Sequence, residues 1–216
     1  MKLEETFKTN GPGKIYFMSD LHIGHYNIIK TGPRDFSSVE EMNKSIVETL
    51  KGTTKDDIIF ELGDLFWNIR PEYSKKILES IPAKIYKVLG NHDKYKMYLE
   101  NDNGFLRKYF ETVSDTLEIK VEYQDEITRC FLSHYPLLSW NHKSRGSFMI
   151  HGHCHGNIDR INSNSTDLRV DVGYDGELAK SCNNFLIEFK DIYTWFFKKT
   201  GGMNFTDWVS KRGIAI

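Results

Sequence analysis

The chain has 216 residues, 39% apolar and 13% aromatic, which is enough to bury a real core and excludes a disordered chain. A formal charge of -1 and a pI near 6.7 exclude a global polycationic nucleic-acid-binding character. Apolar runs stay far below the roughly 18 residues of a membrane span, and "MKLEETFKTN" carries acids and lacks the apolar core of a secretory signal.

Three cysteines, Cys130, Cys154 and Cys182, lack framework spacing and read as reduced thiols in a cytoplasmic protein. "KIYFMSD" (Lys14 to Asp20) predicts a buried first strand. "SSVEEMNKSIVETLKG" predicts a helix with a capping serine, ending at Gly52, with Val39, Met42, Ile46, Val47 and Leu50 on one face. "DDIIFELGD" is a second strand, "PEYSKKILESI" a helix opened by Pro71, and "AKIYKVLGNHD" a third strand. Strands alternating with helices argue a parallel βαβ sheet.

After Lys108 the pattern changes. "TLEIKVEY", "EITRCFLSHYP", "FMIHGHCH", "LRVDVGYD" and "NNFLIEFK" predict strands with little helix between them, hence a second, mostly antiparallel sheet. "INSNSTD" (Ile161 to Asp167) reads as a mobile polar loop. No composition shift divides the chain, so the expectation is one α/β domain over 1–216, a β-sandwich flanked by helices, with 201–216 as a C-terminal extension. In the end from Asp191 to Ile216, "DIYTWFFKKTGGMNFTDWVSKRGIAI", Trp195, Phe196 and Trp208 are expected to pack onto the sandwich, in preference to contacting nucleic acid; the oligomeric state stays open.

The polar residues collect where strands end. "SDLH" gives Asp20 and His22, "LGD" gives Asp64, and "GNHD" gives Asn91, His92 and Asp93. "SHY" then gives His134, and "HGHCH" gives His151, His153 and His155. Carboxyl ends of strands are where open α/β sheets hold ligands. Carboxylate, imidazole and amide oxygen suit Mn²⁺, Fe²⁺, Zn²⁺ or Ni²⁺, and Cys154 has no partner for a thiolate zinc site. Asp20, His22, Asp64, Asn91, His134, His153 and His155 are too many for one ion, and two ions sharing a bridging carboxylate fit the number. His-x-His on alternate strand residues would share one face. His151 reads as a satisfied strand histidine.

These blocks, in this order from Asp20 to His155, resemble the calcineurin-like metallophosphoesterase superfamily, and "SDLHIGHYNI" looks like its small bacterial and phage branch. The resemblance implies a four-layer α/β/β/α sandwich with mixed sheets. It implies one ion on Asp20, His22, Asp64 and His155 and another on Asp64, Asn91, His134 and His153. His92 would face the substrate as general acid, with Asp93 holding its ring. Mn²⁺ is the first candidate ion, with Fe²⁺, Ni²⁺, Zn²⁺ and Mg²⁺ behind it. Two such ions about 3.5–4 Å apart activate a bridging water for in-line attack on phosphorus.

Protein phosphatases of the superfamily follow Gly-Asp with a motif containing Asp-Arg-Gly, whereas here "GDLFWNIR" puts Phe66, Trp67 and Asn68 there. That tilts the expectation from a phosphomonoester toward a phosphodiester of nucleotide or nucleic-acid type. His25, Asn27, Asn68, His142 and Arg145 are candidate substrate contacts. An amidohydrolase reading of "HGHCH" is rejected, because that motif belongs on the first strand of a longer barrel. A non-catalytic metal-binding module is the remaining alternative, and every block being intact argues against it.

Overall fold

The computed structural model describes residues 1–98, 106–203 and 205–211. The chain begins with a strand that carries no clear sequence signal, β1 (Lys2–Lys8). There follow β2 (Ile15–Met18), a short helix α1 (Ile28–Thr31), α2 (Val39–Lys51), β3 (Ile58–Glu61), α3 (Pro71–Glu79), β4 (Lys84–Val88), the single turn α4 (Tyr95–Tyr98) and β5 (Thr112–Ser114). The second half holds β6 (Thr116–Tyr123), β7 (Glu126–Ser133), β8 (Phe148–His151), α5 (Asp159–Asn164), β9 (Arg169–Asp171), α6 (Glu177–Cys182), β10 (Ile187–Glu188), α7 (Phe189–Lys199) and α8 (Phe205–Lys211).

Two five-stranded sheets result, in the orders β10-β2-β3-β4-β5 and β1-β6-β7-β8-β9. In the first, β2 to β5 are parallel and β10 runs antiparallel beside β2. The second sheet corrects the antiparallel expectation. β6 and β7 form its antiparallel hairpin, turned at Gln124 (φ 51°) and Asp125 (φ 64°), while β1 joins β6, β8 joins β7 and β9 joins β8 in parallel. Two consecutive positive φ values suit the twist of a tight hairpin. The other connections cross over, through the 134–147 loop and through α5. That helix takes in Ile161 to Asn164, so "INSNSTD" is largely helical. "NNFLIEFK" is likewise strand only at Ile187 and Glu188, because Phe189 already opens α7.

Strand alternation sorts the core into two layers. Phe17, Phe60, Leu62, Tyr86 and Val88 face the second sheet's Leu117, Ile119, Cys130, Leu132, Phe148 and Ile150. Met18, Ile59 and Ile85 face outward onto Met42, Ile46 and Leu50 of α2 and Ile77 and Leu78 of α3. The α2 boundary is set as the sequence suggests, with the Ser38 hydroxyl accepting from the Glu41 amide at 3.1 Å. In α7, Phe196 is fully buried against Phe148, with ring centroids 4.5 Å apart. Trp195 and Trp208 pack partly buried on the same core, as expected of the C-terminal segment. Among the described residues no helix is long and apolar enough to cross a membrane.

The sheets are joined at the carboxyl ends of their strands. Ser19, just past β2, pairs with Gly173, just past β9, and the Tyr174 amide donates to the Ser19 carbonyl at 3.0 Å. That joint is the floor of the polar cluster.

Candidate metal centre

The ends of β2, β3 and β8 deliver their residues through strained turns. Asp20 (φ 58°), His22 (φ 50°), Asp64 (φ 60°), His153 (φ 70°) and His155 (φ 48°) all have left-handed backbone. Such residues cost on the order of 1–3 kcal/mol each and persist only where the surroundings impose them. Backbone bonds hold the turns together: the Asp20 amide donates to the Gly63 carbonyl and the His22 amide to the Asp64 carbonyl, both at 2.9 Å. His153 and His155 lie beyond the end of β8, so this turn, not a shared strand face, brings both into the cluster.

Glycines let the turns close. A Cβ on Gly63, itself at φ 109°, would stand 2.4 Å from His134 Nδ1, and one on Gly90 would stand 2.2 Å from Asp64 Oδ1. The Gly of "GNHD" is therefore there for close approach to a carboxylate.

All seven predicted ligands converge, five of them around the two carboxylates. Asp64 Oδ2 lies 3.8 Å from His22 Nε2 and 3.5 Å from His134 Nε2. Asp20 Oδ1 lies 3.9 Å from His22 Nε2 and 3.8 Å from His155 Nε2. Asn91 Oδ1 stands 2.9 Å from both His134 Nε2 and His153 Nδ1, which brings in the sixth and seventh, Asn91 and His153. Among the described residues two groups of mutually close ligand atoms emerge, Asp20–His22–His155 and Asp20–Asp64–His134.

The cluster fits divalent ions on the chemistry of its own atoms. Asp20 Oδ1 and both ring nitrogens of His22 are buried without a hydrogen-bond partner. An unsatisfied buried polar atom costs about 1–3 kcal/mol. A neutral imidazole partnered at neither nitrogen, beside an unpartnered carboxylate oxygen, is what a cation would complete. Electrostatics agree. Burial, aided by the neighbouring Asp171 carboxylate, pushes Asp20 up to about 7. Burial raises Asp64 as well, and it pushes His22 down to about 2 and His134 down to about 4. Imidazoles held neutral offer free lone pairs, and buried carboxyls that lack a cation are the groups from which a metal would displace a proton.

The rings are aimed by partners behind them. His134 Nδ1 bonds the Leu62 carbonyl at 2.8 Å, which leaves Nε2 for the cluster. His155 Nδ1 bonds Asp175 Oδ2 at 2.7 Å. Asp175 is in turn gripped by Arg34, whose Nε and Nη2 each donate to it at 2.9 Å. Neither Arg34 nor Asp175 carries a sequence signal, since they lie 141 positions apart and match no short motif. His151 is buried and satisfied by the Gly152 carbonyl and by Asn162, as expected.

His92 is more open than the buried ligands His22 and His134, although His155, at 31%, and the exposed Asn91 come close to it. Its Nε2 is 3.9 Å from Asp64 Oδ2, yet its side chain is 39% exposed where those of His22 and His134 are 3% and 0%. Its backbone amide donates to Asp64 Oδ1 at 2.8 Å. The ring lies against Trp67 at 4.2 Å, and Trp67 stacks on His25 at 3.8 Å, nearly parallel.

Asp93 corrects the sequence expectation. Its Oδ2 accepts from Lys87 Nζ at 2.6 Å, the Gly90 amide at 2.8 Å and the Asp64 amide at 3.0 Å, so it faces inward and does not hold the His92 ring. A buried ammonium outcompetes an exposed imidazole for it, and Lys87 Nζ also contacts Glu61 Oε2. Burial opposes the charge on Lys87, but Asp93 and Glu61 outweigh it and hold the ammonium above its ordinary range.

The remaining candidates separate. His25 borders the cluster through His22 and Trp67, with centroids 5.5 Å from His22. Asn68, at φ 45°, accepts from Lys94 at 3.4 Å, and Asn27 is exposed at the start of α1. His142 and Arg145 precede β8, at the opposite end of that strand from His153. They line surface grooves with Glu126, Arg129 and Phe205, so that expectation of substrate contact is withdrawn on position.

The calcineurin-like phosphoesterase family pattern matches residues 13–197. The chain is 33% identical over 167 residues to the uncharacterized protein MJ1445 of Methanocaldococcus jannaschii, covering 74% of this chain and 81% of that one. It is 27% identical over 160 residues to the gene 66 protein of Mycobacterium phage L5, covering 65% of this chain and 76% of that one. Among solved structures, the protein of unknown function AQ665 from Aquifex aeolicus is similar, with a TM-score of 0.59 and 25% identity over 85% of this chain and 99% of that one. With two mixed sheets flanked by helices and a buried carboxylate–imidazole cluster at their joined ends, the chain belongs to the calcineurin-like phosphoesterases, metal-dependent hydrolases of phosphoric esters.

Proposed function

We propose that the protein is a phosphodiesterase with two divalent ions, acting on a nucleotide or nucleic-acid-like diester, with His92 as general acid. Asp20, His22, Asp64 and His155 would hold one ion; Asp64, Asn91, His134 and His153 would hold the other. The observation that carries this reading is the position of Asp64 Oδ2, within 3.8 Å of His22 on one side and 3.5 Å of His134 on the other. Mn²⁺ suits a set this rich in imidazole better than Mg²⁺ does. Ions so held supply an activated water and offset charge on the phosphate oxygens.

The chain's own residues do the rest. His134 and His155 are oriented by the Leu62 carbonyl and by Asp175, so their Nε2 atoms need no reorganisation. His92, exposed at the rim and fixed through its backbone amide to Asp64, can give a proton from its ring to a departing alkoxide. Acid catalysis of this kind is worth roughly 10²–10⁴-fold.

The diester preference rests on charge. A monoester carries an additional negative charge that gains from an arginine clamp. Trp67 and Asn68 follow the Gly63-Asp64 turn instead, and Arg34 and Lys87 are both engaged inward. Monoester hydrolysis, the competing reading, would draw on Lys94, whose exposed ammonium reaches Asn68.

The test compares bis(p-nitrophenyl) phosphate with p-nitrophenyl phosphate, before and after chelation. Chelated protein should be inactive, Mn²⁺ should restore it at least as well as Mg²⁺, and the diester should be the faster substrate. Full activity in excess chelator would overturn the metal dependence, and a clear monoester preference would reverse the substrate class.

A further inference from the structure

Arg34 is a charged side chain with no exposure, and its donors reach three parts of the site. Nε and Nη2 clamp Asp175 at 2.9 Å each, Nη2 also donates to the Asp20 carbonyl at 2.6 Å, and Nη1 donates to the Leu21 carbonyl at 2.8 Å. Its guanidinium lies 4.2 Å from the Tyr174 ring. Asp175 then takes His155 Nδ1 at 2.7 Å.

Under the two-ion assignment these contacts fall on one half of the cluster, although the Asp20 carboxylate also lies close to Asp64 and His134. The carbonyls that Arg34 caps belong to the strained turn bearing Asp20 and His22, and the carboxylate it clamps aims His155. The other half, with Asn91, His134 and His153, is supported separately by the Leu62 carbonyl, and its loop is tied through Asp93 to Lys87. Burying a guanidinium is costly unless its donors are satisfied with good geometry. Here the fork meets a carboxylate and two carbonyls, an arrangement that lysine's single ammonium cannot reproduce.

We infer that Arg34 and Asp175 are positioning residues for one ion only, fixing the Asp20–His22 turn and the His155 ring as a unit. The inference rests on the two-ion reading given above. Residues behind metal-binding histidines typically contribute 10–100-fold to metal affinity, and that effect should appear at a single site.

The experiment is titration of metal-free protein with Mn²⁺, by calorimetry and by counting free Mn²⁺ in its magnetic resonance spectrum. Wild-type protein should take up two ions. Asp175→Asn keeps the shape but loses the charge, and it should weaken one ion by about 10–100-fold while leaving the other within about 3-fold. Arg34→Lys should do the same. Nitrogen-15 spectra of the metal-free protein should find His155 protonated at Nδ1 in the wild type, with that resonance altered in Asp175→Asn. If Arg34→Lys does not fold, the near-isosteric Asp175→Asn carries the test. Equal weakening of both ions, or two unchanged affinities with only a lower melting temperature, would overturn the inference and leave the two-ion reading standing. A wild type that binds no Mn²⁺ would overturn that reading and the inference with it.

Discussion

At the scale of single residues, Asp64 and His92 share a backbone contact and have separable roles. Asp64 Oδ2 reaches His22 and His134, which belong to different halves of the cluster. Asp64→Ala is therefore expected to lose most of both ions after gel filtration, more than Asp20→Ala loses, whereas His155→Ala mainly loses one. Two ions retained in Asp64→Ala would end its bridging role. His92 presents its ring at the rim and is not among the seven residues assigned to the ions, so His92→Asn should keep both ions. The loss should follow the leaving group. An alkyl or nucleotide diester departs as a basic alkoxide and should slow by about 10²–10⁴-fold. A nitrophenolate leaves readily unaided, so a nitrophenyl diester should slow much less. Equal losses on the two substrates would make His92 a phosphate-binding group.

At the scale of elements, Lys87 on β4 ties two functional loops from beneath. It pairs with Glu61 at the end of β3 and with Asp93, whose carboxylate also collects the amides of Asp64 and Gly90. Lys87→Met would leave two buried carboxylates without their cation, and removing one member of such a group costs about 3–5 kcal/mol. Urea unfolding in the presence of chelator should register that loss independently of metal; a change below about 1 kcal/mol would mean the network relaxes around water. Much of this was legible beforehand. Asp20, Asp64, Asn91, His134, His153 and His155 announce themselves because short polar motifs close strong strands. Their supports did not, because Lys87 reads as a strand residue and Arg34 meets Asp175 only through the tertiary fold. β1 was hidden by its charges in "KLEETFK", where Phe7 alone is buried. The parallel pairings of β8 and β9 in the second sheet were hidden because the crossovers leading to them contain little helix.

At the scale of the whole molecule, the cluster sits on a seam. Asp20, His22, Asp64 and Asn91 follow strands of one sheet, and His134, His153 and His155 follow strands of the other. Within the seam the His153 amide donates to Asp20 Oδ2 at 2.8 Å and Ser19 pairs with Gly173. An ion bound there cross-links the halves, and binding to the folded form alone adds about 2.7 kcal/mol at a hundred times Kd. The melting temperature should thus climb with Mn²⁺ concentration and fall in chelator, and a melting temperature indifferent to both would rule the cross-link out. Ligands shared between two sheets would also make metal supply a determinant of lifetime. A chain without such ions would open more often along the seam and meet proteases there, so scarcity would lower the amount of the protein as well as its turnover.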